Sequence, residues 1–147
     1  DPSATQEAFD AQSYFRTGDL GTVTADGVLT VTGRKKDIII RGGENLSAKE
    51  IEDALHTHPA IREAAVVAMP HARLGEGVCA YIIPAKPGQV PEISAITNFL
   101  LEYGLARQKC PDRVEMVADL PRTASGKVQK HILRTMIRDQ LASEVAT

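Results

Sequence analysis

A small α+β fold, a short sheet packed with about three helices and preceded by a β-hairpin, is the class this sequence predicts. Three observations carry it. Short, apolar, often β-branched runs recur at 37–41, 64–69 and 78–83, each bounded by Gly or Pro. Between and after them, apolar residues fall at helical spacing. Ahead of them, residues 14–41 carry the turn signals Gly18-Asp19, Gly21 and Asp26-Gly27.

Residues 1–13 are small and polar without clear periodicity and predict a helical scrap or a loose arm. Val28-Leu29-Thr30-Val31-Thr32 is a strand, and Asp26-Gly27 is a pair suited to closing a tight hairpin before it. Asp37 to Arg41, with three consecutive isoleucines, is a further strand, broken by Gly42-Gly43. Ser47 with Glu50 three residues on forms a capping box, because the hydroxyl and the carboxylate satisfy amides that a first helical turn leaves free. Ile51, Ala54 and Leu55 continue that helix, and Pro59 stops it. Strands follow at Ala64–Met69 and Val78–Ile83. Pro84, Pro87, Gly88 and Pro91 make a linker. Ile93, Ile96, Leu100 and Tyr103 mark an amphipathic helix, Arg113–Val117 a strand, and Ile132, Leu133, Met136, Ile137 and Leu141 a closing helix. From residue 36 the expected order is β, α, β, β, α, β, loop, α. Residues 1–34 stand outside that pattern, as the edge of a neighbouring domain, which puts the division at 1–34 and 35–147.

The 147 residues fit one domain of ordinary size, and 43% hydrophobic residues suffice for a core. A net charge of −2 gives no overall attraction to nucleic acid or anionic membranes. The apolar runs fall far short of the roughly 20 residues a membrane-spanning helix needs, and no signal peptide shows. Cys79 and Cys110 are too few for a disulfide framework and lack zinc-type spacing, so free thiols in a reducing cytoplasm are expected. His56 and His58 are two apart, off a common helix face, and His71 and His131 have no neighbour at ligand spacing, so no metal site made by protein ligands is expected. The chain starts at Asp1-Pro2-Ser3, without Met, which fits a piece of a longer protein.

Three polar, glycine-punctuated segments are not required by structure alone. In Tyr14-Phe15-Arg16-Thr17-Gly18-Asp19-Leu20-Gly21 an acid projects from a sharp turn, where a carboxylate could accept from two vicinal hydroxyls; a plain turn with a solvated Asp accounts for the same residues. In Gly33 to Asn45 a cation cluster, Arg34-Lys35-Lys36, leads into a strand and then Gly42-Gly43-Glu44, where paired glycines allow positive φ and close backbone approach; a charged strand edge and turn is the simpler alternative. Leu120 to Lys130 contains Ser125-Gly126-Lys127. It is not a phosphate-binding Walker loop, lacking the leading glycine and the Ser or Thr after the lysine. What remains is a lysine on a mobile small-residue loop ahead of a helix, either a point charge for phosphate or carboxylate or a solvated lysine.

Together, Tyr14-x-x-Thr17-Gly18-Asp19-Leu20, Gly33-Arg34-x-Lys36-Asp37 with its glycine turn and Glu50-Ile51-Glu52, and Pro121-Arg122-Thr123-x-Ser125-Gly126-Lys127 resemble three core motifs of the adenylate-forming superfamily, in that family's order. The resemblance covers Tyr14 to about Arg138. It implies an ATP-dependent acyl-CoA synthetase, of which residues 35–147 form the mobile C-terminal lid and residues 1–34 the tail of the large N-terminal domain. In such enzymes a carboxylic acid attacks the α-phosphate of ATP, giving an acyl-adenylate and pyrophosphate; the thiol of CoA then takes the acyl group and releases AMP. The resemblance further implies that Asp19 and Arg34 bind the ribose of ATP or AMP and that Lys36 is the hinge. Gly42, Gly43 and Glu44 line the pantetheine tunnel for CoA, and Lys127 is the catalytic lysine at the carboxylate and α-phosphate. Mg2+ comes with ATP, held mainly by the N-terminal domain, and a protein lysine acetyltransferase and deacetylase acting on Lys127 are further implied partners. The phosphate loop and the acid pocket are not in this sequence, so a chain inactive alone is expected. An adenylation domain loading a carrier protein is the second reading. A non-catalytic module binding nucleic acid through Arg122, Lys127, Lys130, Arg134 and Arg138 is the distant third, weakened by the absence of interleaved aromatics.

Overall fold

The computed structural model describes residues 1–88 and 91–145. A short helix, α1 (Pro2–Ala8), is capped by the Asp1 carboxylate accepting from Ser3 N–H. Strands β1 (Asp19–Val23) and β2 (Leu29–Arg34) pair antiparallel as a separate two-stranded sheet. Their turn is closed by Gly27 N–H donating to Thr24 O at 2.9 Å, with Gly27 at φ +85°. The Asp26-Gly27 signal is therefore used, within a longer loop than a two-residue turn.

A single 3-10 turn, Lys35–Asp37, leads into the second sheet. Its strands are β3 (Ile38–Arg41), β4 (Glu44–Ser47), β5 (Ile61–His71), β6 (Gly75–Pro84) and β7 (Arg113–Met116). The order is β4-β3-β6-β5, all antiparallel, with β7 running parallel to β6 beyond β3. Helices α2 (Ala48–Leu55) and α3 (Ile93–Glu102) cover one face and α4 (Lys130–Val145) the other.

Both faces being covered explains why β5 and β6 read as continuous apolar runs instead of alternating ones. Successive side chains point to opposite faces: Val66, Val78, Ala80 and Ile82 join Ile51, Leu55, Ile96 and Leu100 in one core, while Val67, Cys79, Tyr81 and Ile83 join Leu133 and Ile137 in the other. Burying Leu133 and Ile137 completely contributes roughly 1.5–3 kcal/mol each and fixes α4 to the sheet, as does the Tyr81 hydroxyl, which donates to Leu133 O at 3.1 Å.

Half of the expected capping box forms: the Ser47 hydroxyl accepts from Glu50 N–H, while the Glu50 carboxylate pairs with Lys109 instead of reaching back to the cap. The expected element order needs one correction: β4 was read only as the approach to α2. Gly42-Gly43 does not end strand structure but folds it back, since Arg41 and Glu44 are the last paired residues and both glycines lie at positive φ, +59° and +88°. This is the geometry of a two-residue primed turn. Strand β5 also runs further than expected, through Pro70; on an edge strand proline's missing N–H costs no ladder bond. Cys79 and Cys110 are free and buried. No helix among the described residues is long and apolar enough to cross a membrane.

Candidate functional site

The end of the hairpin, the 3-10 turn and the segment before α4 meet. Gly18, at φ +76°, turns the chain so that its carbonyl accepts from Lys35 N–H at 2.8 Å and Asp19 opens β1 opposite Arg34. The Asp19 carboxylate and Arg34 Nε are 2.8 Å apart, and both remain partly exposed. Arg34 is a common wall of three hollows: one of about 530 Å³ with Thr17, Gly18 and Lys35, one of about 350 Å³ with Lys36 and Lys127, and one of about 250 Å³ with Asp19 and Glu52.

The lysine loop is a hydrogen-bonded turn. Thr123 N–H donates to Lys127 O and Gly126 N–H to Thr123 O, each at 2.9 Å, and Gln129 N–H donates to Pro121 O at 2.8 Å. Gly126 supplies the positive φ (+84°) that this closed turn requires. Arg122 donates to Gly126 O and pairs with Glu63 on β5, tying the turn to the sheet. Lys127 is thus held on a built turn, and among the described residues its ammonium has no ion-pair partner.

Around the 350 Å³ hollow the cations sort into two groups. Lys130 is paired with Glu52 at 2.7 Å and Arg134 with Asp37 at 2.5 Å. Lys36 and Lys127 line the same hollow with no carboxylate partner among the described residues, so their charges are available to an anion. Of the basic residues between 122 and 138, Arg122, Lys130 and Arg134 are paired with Glu63, Glu52 and Asp37.

Of the residues singled out from sequence, Asp19, Arg34, Lys36 and Lys127 come together; Gly42, Gly43 and Glu44 do not. They sit at the far end of β3, about 15–20 Å along the chain direction from Lys36 at the usual strand rise. There Gly42 N–H donates to Leu74 O at 2.9 Å. The next strand residue inward, Arg41, reaches Asp112 at 2.6 Å, whose other oxygen accepts from Val78 N–H.

The structural roles of two groups escaped sequence reasoning, although both stood in segments singled out there. Glu52 accepts from Val66 N–H and from Lys130, bridging α2, β5 and the start of α4. Its signal was present, since it flanks the buried Ala48, Ile51 and Leu55 stripe. Arg134 donates to both Lys36 O and the Asp37 carboxylate; its partners lie nearly a hundred residues away, and nothing local marks it. Among the described residues no group of three His, Cys, Asp or Glu could hold a metal ion.

This fold is that of the C-terminal domain of adenylate-forming enzymes, and comparison with known proteins agrees. The AMP-binding enzyme C-terminal domain family matches residues 50–127, and the chain belongs to that family. It is 41% identical over 145 residues to the medium-chain fatty-acid–CoA ligase of Escherichia coli K12, covering 99% of this chain and 26% of that protein. It is 46% identical over 134 residues to the 2,3-dihydroxybenzoate-AMP ligase of Bacillus subtilis 168, covering 91% and 24%. Among solved structures, ATP-bound MatB from Rhodopseudomonas palustris is similar with a TM-score of 0.84 at 39% identity, over 94% of this chain and 27% of that one. The apo form of MatB, with the same identity and coverage, gives 0.71. The chain spans about a quarter of the length of these relatives.

Proposed function

We propose that this chain is the C-terminal lid of an acid:CoA ligase, with residues 1–34 as the tail of the preceding domain and 35–147 as the lid. One observation carries the reading: two uncompensated cations, Lys36 and Lys127, face a hollow walled by Arg34, and Arg34 in turn pairs with Asp19, which lines an adjoining hollow. A nucleoside triphosphate fits such a site chemically. Its phosphates match the ammonium of Lys127, and its ribose diol matches the Asp19 carboxylate and the Arg34 guanidinium.

In the first half-reaction a carboxylate attacks the α-phosphorus of ATP and pyrophosphate leaves. Negative charge grows on the α-phosphate oxygens, and Lys127, held on its closed turn, stabilises it there. Such a preorganised donor contributes on the order of 100–1,000-fold in rate. In the second half-reaction the CoA thiol attacks the acyl carbon and AMP leaves. Lys127 and the Gly42-Gly43 turn lie at opposite ends of β3, so a lid rotating at Lys36 presents one and withdraws the other. With no side chain at either glycine, the backbone can approach an extended pantetheine closely. Asp37 at this hollow and Asp19 beside it are both engaged by arginines, so Mg2+ would enter with ATP and take its protein ligands from elsewhere. Acetylation of Lys127 would remove the charge and silence the first step.

A second reading has its own support: the similarity to an aryl-AMP ligase is as strong as that to a CoA ligase, and an adenylation domain would hand the acyl group to a carrier protein instead. ATP–pyrophosphate exchange by the complete ligase over a panel of carboxylic acids, followed by a comparison of CoA with a phosphopantetheinylated carrier as acceptor, tests both. Acid-dependent exchange with CoA as the faster acceptor is the expected result. Preference for the carrier selects the second reading, and no exchange with any acid refutes both. The 147-residue chain alone is expected to give no measurable acyl-CoA.

A further inference from the structure

Resting on the lid reading just given, we propose that Arg134 is the positioning residue that decides where the lid pivots. A hinge is defined by what is clamped on either side of it. On the hairpin side, Lys35 N–H is held by Gly18 O at 2.8 Å. On the lid side, one guanidinium nitrogen of Arg134 donates to Lys36 O at 3.0 Å and to the Asp37 carboxylate at 2.5 Å. The Lys36–Asp37 peptide is planar, so holding its carbonyl holds the whole unit, including the Asp37 amide.

The helix backbone that carries Arg134 is anchored to the sheet. Arg134 follows Leu133 and precedes Ile137, both fully buried, and the Leu133 carbonyl is tied to Tyr81 in the centre of the sheet. The Lys36–Asp37 peptide is therefore joined to the lid's core, and the Lys35 amide to the hairpin. Only the torsions of Lys35 and Lys36 lie between the two clamps. One backbone hydrogen bond spans that interval, Ile38 N–H to Lys35 O, and rotation at Lys36 opens it. A second tie across the joint, the Ser47 hydroxyl donating to Thr32 O at 3.0 Å, must open as well. Without Arg134 the chain could also bend at Asp37, and the lid would wander instead of swinging between defined poses.

The test has two readouts. In the 147-residue chain, spin labels on cysteines introduced at the exposed positions Ala25 and Lys86 report the hairpin-to-lid distance; the native Cys79 and Cys110 are buried. Wild type should give a narrow distribution, and Arg134→Gln and Asp37→Asn each a broad one at temperatures well below melting. In the complete ligase, Arg134→Gln should lower kcat of both half-reactions about 3–10-fold, as the fraction of correctly posed lids falls. KM for the acid should change less than twofold, because the acid is bound elsewhere. Unchanged distances overturn the proposal, whether or not the variant melts earlier, since Arg134 would then be merely structural. Broadened distances with unchanged kcat overturn it too. A wild-type ligase that activates no carboxylic acid would refute the lid reading, while the distance measurement would still decide the clamp.

Discussion

Replacing Glu52 by alanine removes two bonds at once. Its carboxylate accepts from Val66 N–H at 2.7 Å and from the Lys130 ammonium at 2.7 Å, and the two side chains are only 14% and 17% exposed. A hydrogen bond to a charged acceptor contributes about 1.5–3 kcal/mol. Stranding the partner of a buried pair costs about 3–5 kcal/mol, of which residual exposure of Lys130 leaves only part. The combined loss is about 3 kcal/mol. For a chain of this size each kcal/mol moves Tm by about 2–4 °C, so a fall of roughly 6–12 °C is expected. Urea denaturation followed by circular dichroism gives the free energy, provided the slope m matches wild type. Glu52→Gln, which keeps an acceptor for Val66, should lose about half as much. Adding Lys130→Met to Glu52→Ala should recover stability, because the stranded charge goes. A loss below about 1 kcal/mol for Glu52→Ala would refute the idea that this carboxylate ties α2, β5 and α4 together.

Other expectations can be checked on the same chain. Gly77→Ala should destabilise by about 1–3 kcal/mol, because a Cβ there would lie 3.0 Å from an Asp112 oxygen and 3.1 Å from Met69; urea midpoints at the level of wild type would show that Asp112 can move. Burial beside Phe99 holds the His58 imidazole below its ordinary value, and its Nδ1 accepts from Ala60 N–H. The neutral ring is thus favoured by folding, so its contribution is complete above about pH 6.5 and is lost as pH falls through the lowered value. His58→Gln should flatten the drop in urea midpoint between pH 7 and 5; an unchanged slope would assign the drop to other groups.

The sheet and its helices were legible because burial on two faces writes continuous apolar runs into β5 and β6 and a clear stripe into α2. Strand β4 was not, because Glu44-Asn45-Leu46 places a single core residue, Leu46, in a segment that a glycine pair and a helix cap seemed to claim. The reach of β5 through Pro70 depends on its being an edge strand, a property of the sheet and not of the segment. At the site, Asp19 and Lys127 announce themselves through Gly18 and Gly126, since the turns that present them need positive φ, whereas Arg34 is marked by the cation cluster at the end of β2. Arg134, Lys130 and Arg122 read as one basic stretch because the sequence shows their charges and not their partners. Glu63, Glu52 and Asp37 come from three different elements, and only folding brings them into register with the lysine turn and α4.

The central claim concerns Lys127, and the most direct measurement isolates its half-reaction. In the complete ligase, ATP–pyrophosphate exchange and thioester formation from supplied acyl-adenylate would be measured for wild type and Lys127→Ala. Exchange reduced about 100–1,000-fold, with thioester formation within a few-fold of wild type, is the expected outcome for a cation that acts only on the α-phosphate step. Exchange that survives the substitution, or two half-reactions that fall together, would contradict the assignment.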